Sequence, residues 1–186
     1  CAPSSAPARR SGSPPVALTT QAVILARGLG TRMRRSDTGG DPRTDGAPVA
    51  GGLSAAQAAA ADAGLKGLIP VGRPFLDYVL SALADAGITD VTLVIGPEHS
   101  AVREYFVRTA PPRRVRLGFA EQAAPRGTAN AVLAAHDAVG RAPFLMLNAD
   151  NYYPASACRA LAELGANGLV AFGAEALVRE GGIEPE

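Results

Sequence analysis

The sequence predicts one α/β domain whose core is a mostly parallel β-sheet with helices on both faces. Short apolar runs alternate along the chain with amphipathic helical segments, and parallel strands need such crossover segments between them. The chain has 186 residues, of which 47% are hydrophobic. It is therefore long and apolar enough for a single domain with a sizeable core and an additional tail.

The N-terminal third combines one strand with segments that have little to bury. We expect a disordered tail over residues 1–20, which are dominated by Pro, Ser, Ala and Arg. Residues 21–27 are a short apolar run rich in β-formers, which favours a buried strand. A mobile loop rich in Asp, Gly, Pro and Thr is predicted over 36–53. The Ala-rich stretch 54–63 predicts a helix, with Ser54 as its cap and Gly64 as its end.

The remaining chain shows a regular alternation of helices and strands. Residues 74–86 carry apolar side chains at i, i+3, i+4 and i+7, which indicates one buried helix face that ends before Gly87. Further helices are predicted over 98–108, 128–139 and 154–164. The predicted strands occupy 90–95, 115–120, 143–147 and 168–172.

Charge and cysteine content exclude several functional classes. The 18 basic residues nearly balance 17 acidic ones, so nothing indicates a nucleic-acid partner. No apolar run approaches the length of a membrane span. Cys1 and Cys158 cannot form a disulfide framework and lack the partners of a zinc site. A reducing, cytoplasmic location fits best.

Three loops with unusual side chains follow predicted strands, over 28–35, 122–131 and 148–153. Ligands bind outside the carboxyl ends of the strands in such sheets, so these loops predict a site. Gly28 and Gly30 allow backbone N–H groups to approach phosphate oxygens, and Arg32 adds a fork of donors. The loop is not a dinucleotide-binding fingerprint, because Met33 replaces the third Gly, and no Gly-Lys-Ser/Thr follows as in a Walker loop.

The stretch from Leu25 to Met33, with its Gly-Leu-Gly-Thr-Arg core, resembles the signature of sugar-phosphate nucleotidylyltransferases. In that family a lysine precedes a Leu-Leu-Pro-Val-type segment, and here Lys66, the only lysine, precedes Leu68-Ile69-Pro70-Val71. Residues 121–131 resemble the family's base-recognition stretch, and 144–153 its metal-binding strand end. The glucose-1-phosphate thymidylyltransferases and uridylyltransferases are the branch that the sequence resembles.

The resemblance implies a Rossmann-like, three-layer α/β/α nucleotidyltransferase fold over residues 21–186. It also leads us to expect a C-terminally incomplete domain. The chain stops before the family's Glu-Lys sugar-binding segment and second metal-binding Asp.

The implied reaction is attack of a sugar 1-phosphate on the α-phosphorus of an NTP, which releases pyrophosphate and requires positioning and charge neutralisation. By resemblance, Arg32 and Lys66 are catalytic and Asp150 holds Mg²⁺. Gln122 is expected to pair with a uracil or thymine base, which favours UTP or dTTP. The full implied nucleotide-binding set is Leu25, Ala26, Gly28, Gly30, Thr31, Gln122, Gly127 and Thr128.

One departure from the family pattern concerns Arg27, which stands where the family usually has Gly or Ala. A long cation there is expected either to crowd the nucleoside or to add a phosphate contact. The alternatives that stay open are transfer to another small phosphate such as phosphocholine, and a non-catalytic nucleotide-binding or regulatory module. Family members usually associate, so a homo-oligomer is possible.

Overall fold

A computed structural model describes residues 18–27, 68 and 70–181 of the chain. Its centre is a four-stranded sheet in the order β5-β4-β1-β6, and every neighbouring pair of strands is parallel. The strands are β1 Gln21–Leu25, β4 Asp90–Ile95, β5 Arg116–Glu121 and β6 Phe144–Asn148. The mostly parallel α/β sheet expected from the sequence is confirmed.

Helices connect these strands and cover both faces of the sheet. They are α1 Phe75–Asp85, α2 Ser100–Glu104 with a π-helical turn Tyr105–Thr109, α3 Thr128–Ala134, α4 His136–Val139, α5 Ala155–Ala162 and α6 Ala174–Gly181. A short antiparallel pair, β2 Pro70–Val71 and β3 Arg73–Pro74, leads into α1. No helix in this described part of the chain is long and apolar enough to cross a membrane.

The core has two parts because successive side chains of a strand point to opposite faces. Ala22 and Ile24 of β1 belong to the larger cluster, with apolar residues of α1, α2 and α5. Val23, between them, packs on the other face with residues of α3 and α4. All three side chains are at most 1% exposed, so β1 is covered on both faces, as its uninterrupted apolar run predicts.

Two predicted helices are less regular than expected. The helix predicted over 98–108 begins at Ser100 and changes to a π-helical turn at Tyr105. The helix predicted over 128–139 is interrupted at Ala135, whose N–H bonds to the carbonyl of Val132 at 3.0 Å. Such an i→i−3 bond tightens the backbone locally, and the chain resumes as α4.

The prediction of a strand over 168–172 is wrong. This segment has no strand structure, and Leu169 and Phe172 are 83% and 42% exposed. An apolar run becomes a strand only when a neighbouring strand pairs with it, and none does so in the described residues. The helix α6, which follows at Ala174, was not predicted. The predicted helix over 54–63 and the loop over 36–53 lie outside the described residues, as do residues 1–17 of the predicted tail.

Candidate functional site

The carboxyl ends of all four strands lie along one edge of the sheet, because the strands are parallel. Strand order reverses at β1, with β4 and β5 on one side and β6 on the other. Backbone hydrogen bonds hold the chain just beyond the strands, from Ala26 N–H to Val94 O at 2.9 Å and from Ala149 N–H to Leu25 O at 3.1 Å. Doubly wound sheets bind ligands at such an edge and reversal point.

Gln122 directly follows β5 and is held tightly at this edge. Its side chain is buried, and its Nε2 donates to the Gly127 carbonyl at 3.2 Å and to Asn130 Oδ1 at 3.0 Å. The reverse orientation of the amide would place its oxygen against these two acceptors, so the hydrogen bonds define which atom is which. The Gln122 amide oxygen accepts neither bond and remains the atom suited to a ligand N–H group.

Gly127 and Thr128 form the turn that Gln122 contacts. Gly127 has φ 94° and ψ 178°, a conformation that is essentially restricted to glycine. Its carbonyl accepts from Ala131 N–H at 3.1 Å as well as from Gln122. Thr128 is the exposed first residue of α3. The glycine is therefore needed to turn the chain so that its carbonyl can hold the Gln122 amide.

Asp150 lies at the other end of the edge, two residues beyond β6, and is exposed. Among the described residues, no three His, Cys, Asp or Glu side chains come together as a metal site. Mg²⁺ commonly takes only one or two protein carboxylates and completes its shell with water and phosphate oxygens. An exposed carboxylate at a strand end fits that partial role.

An ion pair that the sequence did not predict lies between β1 and the β4 loop. Arg27 Nε donates to Glu98 Oε1 at 2.8 Å and Arg27 Nη2 to Glu98 Oε2 at 3.1 Å. Arg27 Nη1 donates to the main-chain carbonyl of Gln122. The donors of Arg27 face Glu98 and Gln122, and its expected effect on the nucleoside or the phosphates stays a prediction. The sequence signal was a cation in place of the usual small residue, but its acidic partner is 71 positions away.

His99 lies beneath this ion pair and is only 4% exposed. Its Nδ1 accepts from Gly96 N–H at 3.2 Å, and its Nε2 is 4.0 Å from Glu98 Oε1. Burial lowers the pKa of His99, which holds the ring neutral at pH 7. The hydrogen bond from Arg27 holds the pKa of Glu98 below its usual range.

The structure thus brings together part of the predicted set. Leu25, Ala26, Gln122, Gly127, Thr128 and Asp150 lie at or just beyond the carboxyl ends of the strands. The other predicted residues, Gly28, Gly30, Thr31, Arg32 and Lys66, lie outside the described residues. The segment that contains Gly28 to Arg32 begins directly after Arg27, and Lys66 precedes Leu68 by two residues.

A cavity of about 920 Å³ lies elsewhere, along the outer side of β6. Residues 141–147 line one side of it, and residues 165–170 and Phe172 line another. None of the six candidate residues just placed at the sheet edge lines this cavity. The candidate site is therefore the surface that the described residues form beyond the carboxyl ends of the strands, where ligands of this sheet type bind.

These features define the protein as a doubly wound α/β protein with a candidate ligand site at the strand ends. The family model described as "Nucleotidyl transferase" matches residues 63–179, and the chain belongs to that family. It is 35% identical over 133 residues to a glucose-1-phosphate thymidylyltransferase of Streptomyces antibioticus, covering 71% of this chain and 30% of that protein. It is 27% identical over 137 residues to a UTP–glucose-1-phosphate uridylyltransferase of Haloferax volcanii, covering 73% and 45%.

Solved structures support the fold assignment. A UDP-glucose pyrophosphorylase complexed with UDP-glucose superimposes with a TM-score of 0.53 at 17% identity, over 79% of this chain and 53% of that one. A UTP-bound enzyme of Acinetobacter baumannii gives 0.52 at 22% identity, over 72% and 46%. The three-layer α/β nucleotidyltransferase fold is thereby confirmed. The chain spans only 30% to 45% of the length of the two curated relatives named above.

Proposed function

We propose that this chain forms the nucleotide-binding part of an enzyme that transfers a nucleotidyl group from an NTP to a sugar 1-phosphate. A phosphate oxygen of the sugar 1-phosphate attacks the α-phosphorus, the bond to the bridging oxygen breaks, and pyrophosphate leaves. We assign the nucleotidyltransferase domain to residues 21–186. Membership of the nucleotidyl transferase family, and relatives named for thymidylyl and uridylyl transfer to glucose 1-phosphate, support this reaction.

The observation that carries the proposal is the arrangement of Gln122 and Asp150 at opposite ends of one sheet edge. Three interstrand spacings separate their strands, which is about 14 Å. A nucleoside triphosphate can lie across this distance with its base towards Gln122 and its phosphates towards Asp150.

The base is proposed to be uracil or thymine. Both Gln122 N–H groups are used within the protein, so the amide oxygen is the atom available to accept from the N3–H of the base. A cytosine ring carries no N–H at that position, so it would place two acceptors against each other. UTP and dTTP are therefore favoured over CTP.

Phosphate binding and charge neutralisation are proposed to come from three further groups. Gly28, Gly30 and Thr31 would hold the phosphates through backbone N–H groups, Arg32 would bind the triphosphate and Lys66 would neutralise charge at the reacting phosphorus. When bound, Mg²⁺ would neutralise phosphate charge at Asp150. We propose a cytoplasmic protein with no nucleic-acid partner and a possible homo-oligomeric state. The near-balanced charge and the buried free thiol of Cys158 are compatible with this proposal.

The test is a panel of UTP, dTTP, CTP, ATP and GTP with Mg²⁺, in which binding is measured by calorimetry. Turnover is followed by pyrophosphate release with glucose 1-phosphate, another hexose 1-phosphate or phosphocholine. Saturable binding of UTP or dTTP and pyrophosphate release with a sugar 1-phosphate are expected. Turnover only with phosphocholine would select that acceptor, and binding without turnover by the natural full-length protein would select a regulatory module. No binding of any NTP would refute the proposal.

A further inference from the structure

We propose that Arg27 is a positioning residue that sets nucleotide specificity, by fixing the backbone of Gln122 to the end of β1 through its bridge with Glu98. The inference rests on the proposed function, because it concerns how the base-binding amide is held.

The contacts of Arg27 join three strand ends. Its Nε and Nη2 atoms form a two-pronged contact with the Glu98 carboxylate beyond β4, and Nη1 donates to the carbonyl of Gln122 beyond β5. The Arg27 side chain is 8% exposed, although that of Glu98 is 43% exposed. A planar guanidinium can satisfy both partners at once, which a lysine ammonium cannot do with the same fixed geometry.

The residue at position 96 shows that the surrounding backbone accommodates this bridge. Gly96 follows β4 directly, and a Cβ there would lie 2.3 Å from Glu98 Oε1, 2.4 Å from Arg27 Nε and 2.4 Å from Glu98 Oε2. The two charged groups therefore pack directly on the glycine backbone. A side chain at position 96 would require the ends of the Arg27 and Glu98 side chains to shift from this arrangement.

The bridge completes the restraint of Gln122. The Gln122 N–H donates to Ile95 O at 2.9 Å, its side-chain amide is held by Gly127 and Asn130, and Arg27 holds its carbonyl. Every polar group of this residue except the amide oxygen is thereby fixed before a ligand arrives. Preorganisation of this kind raises affinity because less conformational freedom is lost on binding.

A phosphate ligand would have to displace a paired carboxylate to reach the guanidinium of Arg27. The contacts therefore predict that Arg27 affects recognition of the base and leaves binding of the phosphate chain unchanged. Inorganic tripolyphosphate distinguishes these roles because it has no base. A residue that binds phosphate would alter the affinity for both ligands.

The test compares Arg27→Gln, Arg27→Lys and Glu98→Gln with the wild type. Arg116→Gln is the matched control, because Arg116 also bridges β5 and β4, through Asp90 at 2.6 Å, but at the opposite edge of the sheet. All three test variants should weaken UTP or dTTP binding by about tenfold and reduce discrimination against CTP. The Kd for tripolyphosphate with Mg²⁺ should stay within about twofold, and the control should change neither Kd.

Nuclear magnetic resonance of the unliganded protein supplies a readout that does not depend on nucleotide binding. Hydrogen exchange of the Gln122 side-chain amide should be faster in Arg27→Gln than in the wild type, and unchanged in Arg116→Gln. Unchanged exchange in a folded Arg27→Gln or Arg27→Lys protein would overturn the inference. Failure of the wild type to bind any nucleotide would instead refute the proposed function, and the exchange measurement does not depend on that result. Parallel losses of UTP and tripolyphosphate affinity would also overturn the inference, by assigning Arg27 to phosphate binding.

Discussion

Replacing Gln122 with alanine should lower both the stability of the protein and its affinity for the nucleotide, and the two effects can be measured separately. Gln122→Ala removes the two hydrogen bonds from Nε2 to Gly127 O and Asn130 Oδ1. At about 1 kcal/mol net for each, the free energy of unfolding should fall by about 2 kcal/mol. If the amide oxygen also accepts from the base, a ligand N–H loses its partner. This costs about 1–3 kcal/mol, or roughly 5- to 150-fold in Kd for UTP or dTTP.

The matched control is Asn130→Ala, which removes one of the same internal bonds and keeps the Gln122 amide. It should cost about 1 kcal/mol of stability and change the nucleotide Kd by less than about threefold. Urea unfolding gives the first quantity and calorimetric titration the second. Equal losses of nucleotide affinity in the two variants would refute base reading by Gln122, because support of the loop would then explain the whole effect.

Four further outcomes are expected. Gly127→Ala should destabilise the protein by about 1–3 kcal/mol in urea unfolding, because φ 94° strains any residue with a Cβ although open space surrounds it. Leu83→Ala should cost about 2–5 kcal/mol, since this α1 side chain is fully buried. Asp150→Asn should reduce the Mg²⁺-dependent gain in nucleotide affinity by at least about tenfold, with binding in EDTA unchanged as the control. Because the pKa of His99 is lowered in the folded chain, this side chain is protonated more readily in the unfolded chain as the pH falls below about 6.5. The free energy of unfolding should therefore fall as the pH is lowered from 7 to 5, and His99→Asn should flatten that slope; an unaltered slope would assign it to other groups.

The parts of the fold that the sequence predicted well are those where burial alone decides the structure. The strand predicted over 90–95 has the same bounds as β4. The apolar run sufficed for this prediction because five of the six residues are buried. The helix predicted over 74–86 is α1, Phe75–Asp85, and its predicted apolar face is the buried one. Local pattern suffices in both cases.

The wrong predictions depend on neighbours that a local pattern does not contain. Residues 168–172 have the apolar character of a strand, but nothing pairs with them in the described structure. The pairing of Arg27 with Glu98 is a contact over 71 positions that becomes visible only when β1 and β4 are adjacent. Gln122 was predicted as a base-binding residue from its motif and stays a prediction, and the use of its N–H groups by Gly127 and Asn130 became visible only in the structure.

β1 pairs with a strand on each side, so inserting or deleting a residue in it disturbs the structure more than exchanging one apolar residue for another. Leu25 is opposite both Val94 of β4 and Asn148 of β6, so one register serves two ladders. Deleting a single residue from β1 would move each later side chain to the opposite face and carry Arg27 away from Glu98. Natural variants of this domain should therefore tolerate conservative apolar replacements within 21–25, while gains or losses of residues accumulate in the connecting loops.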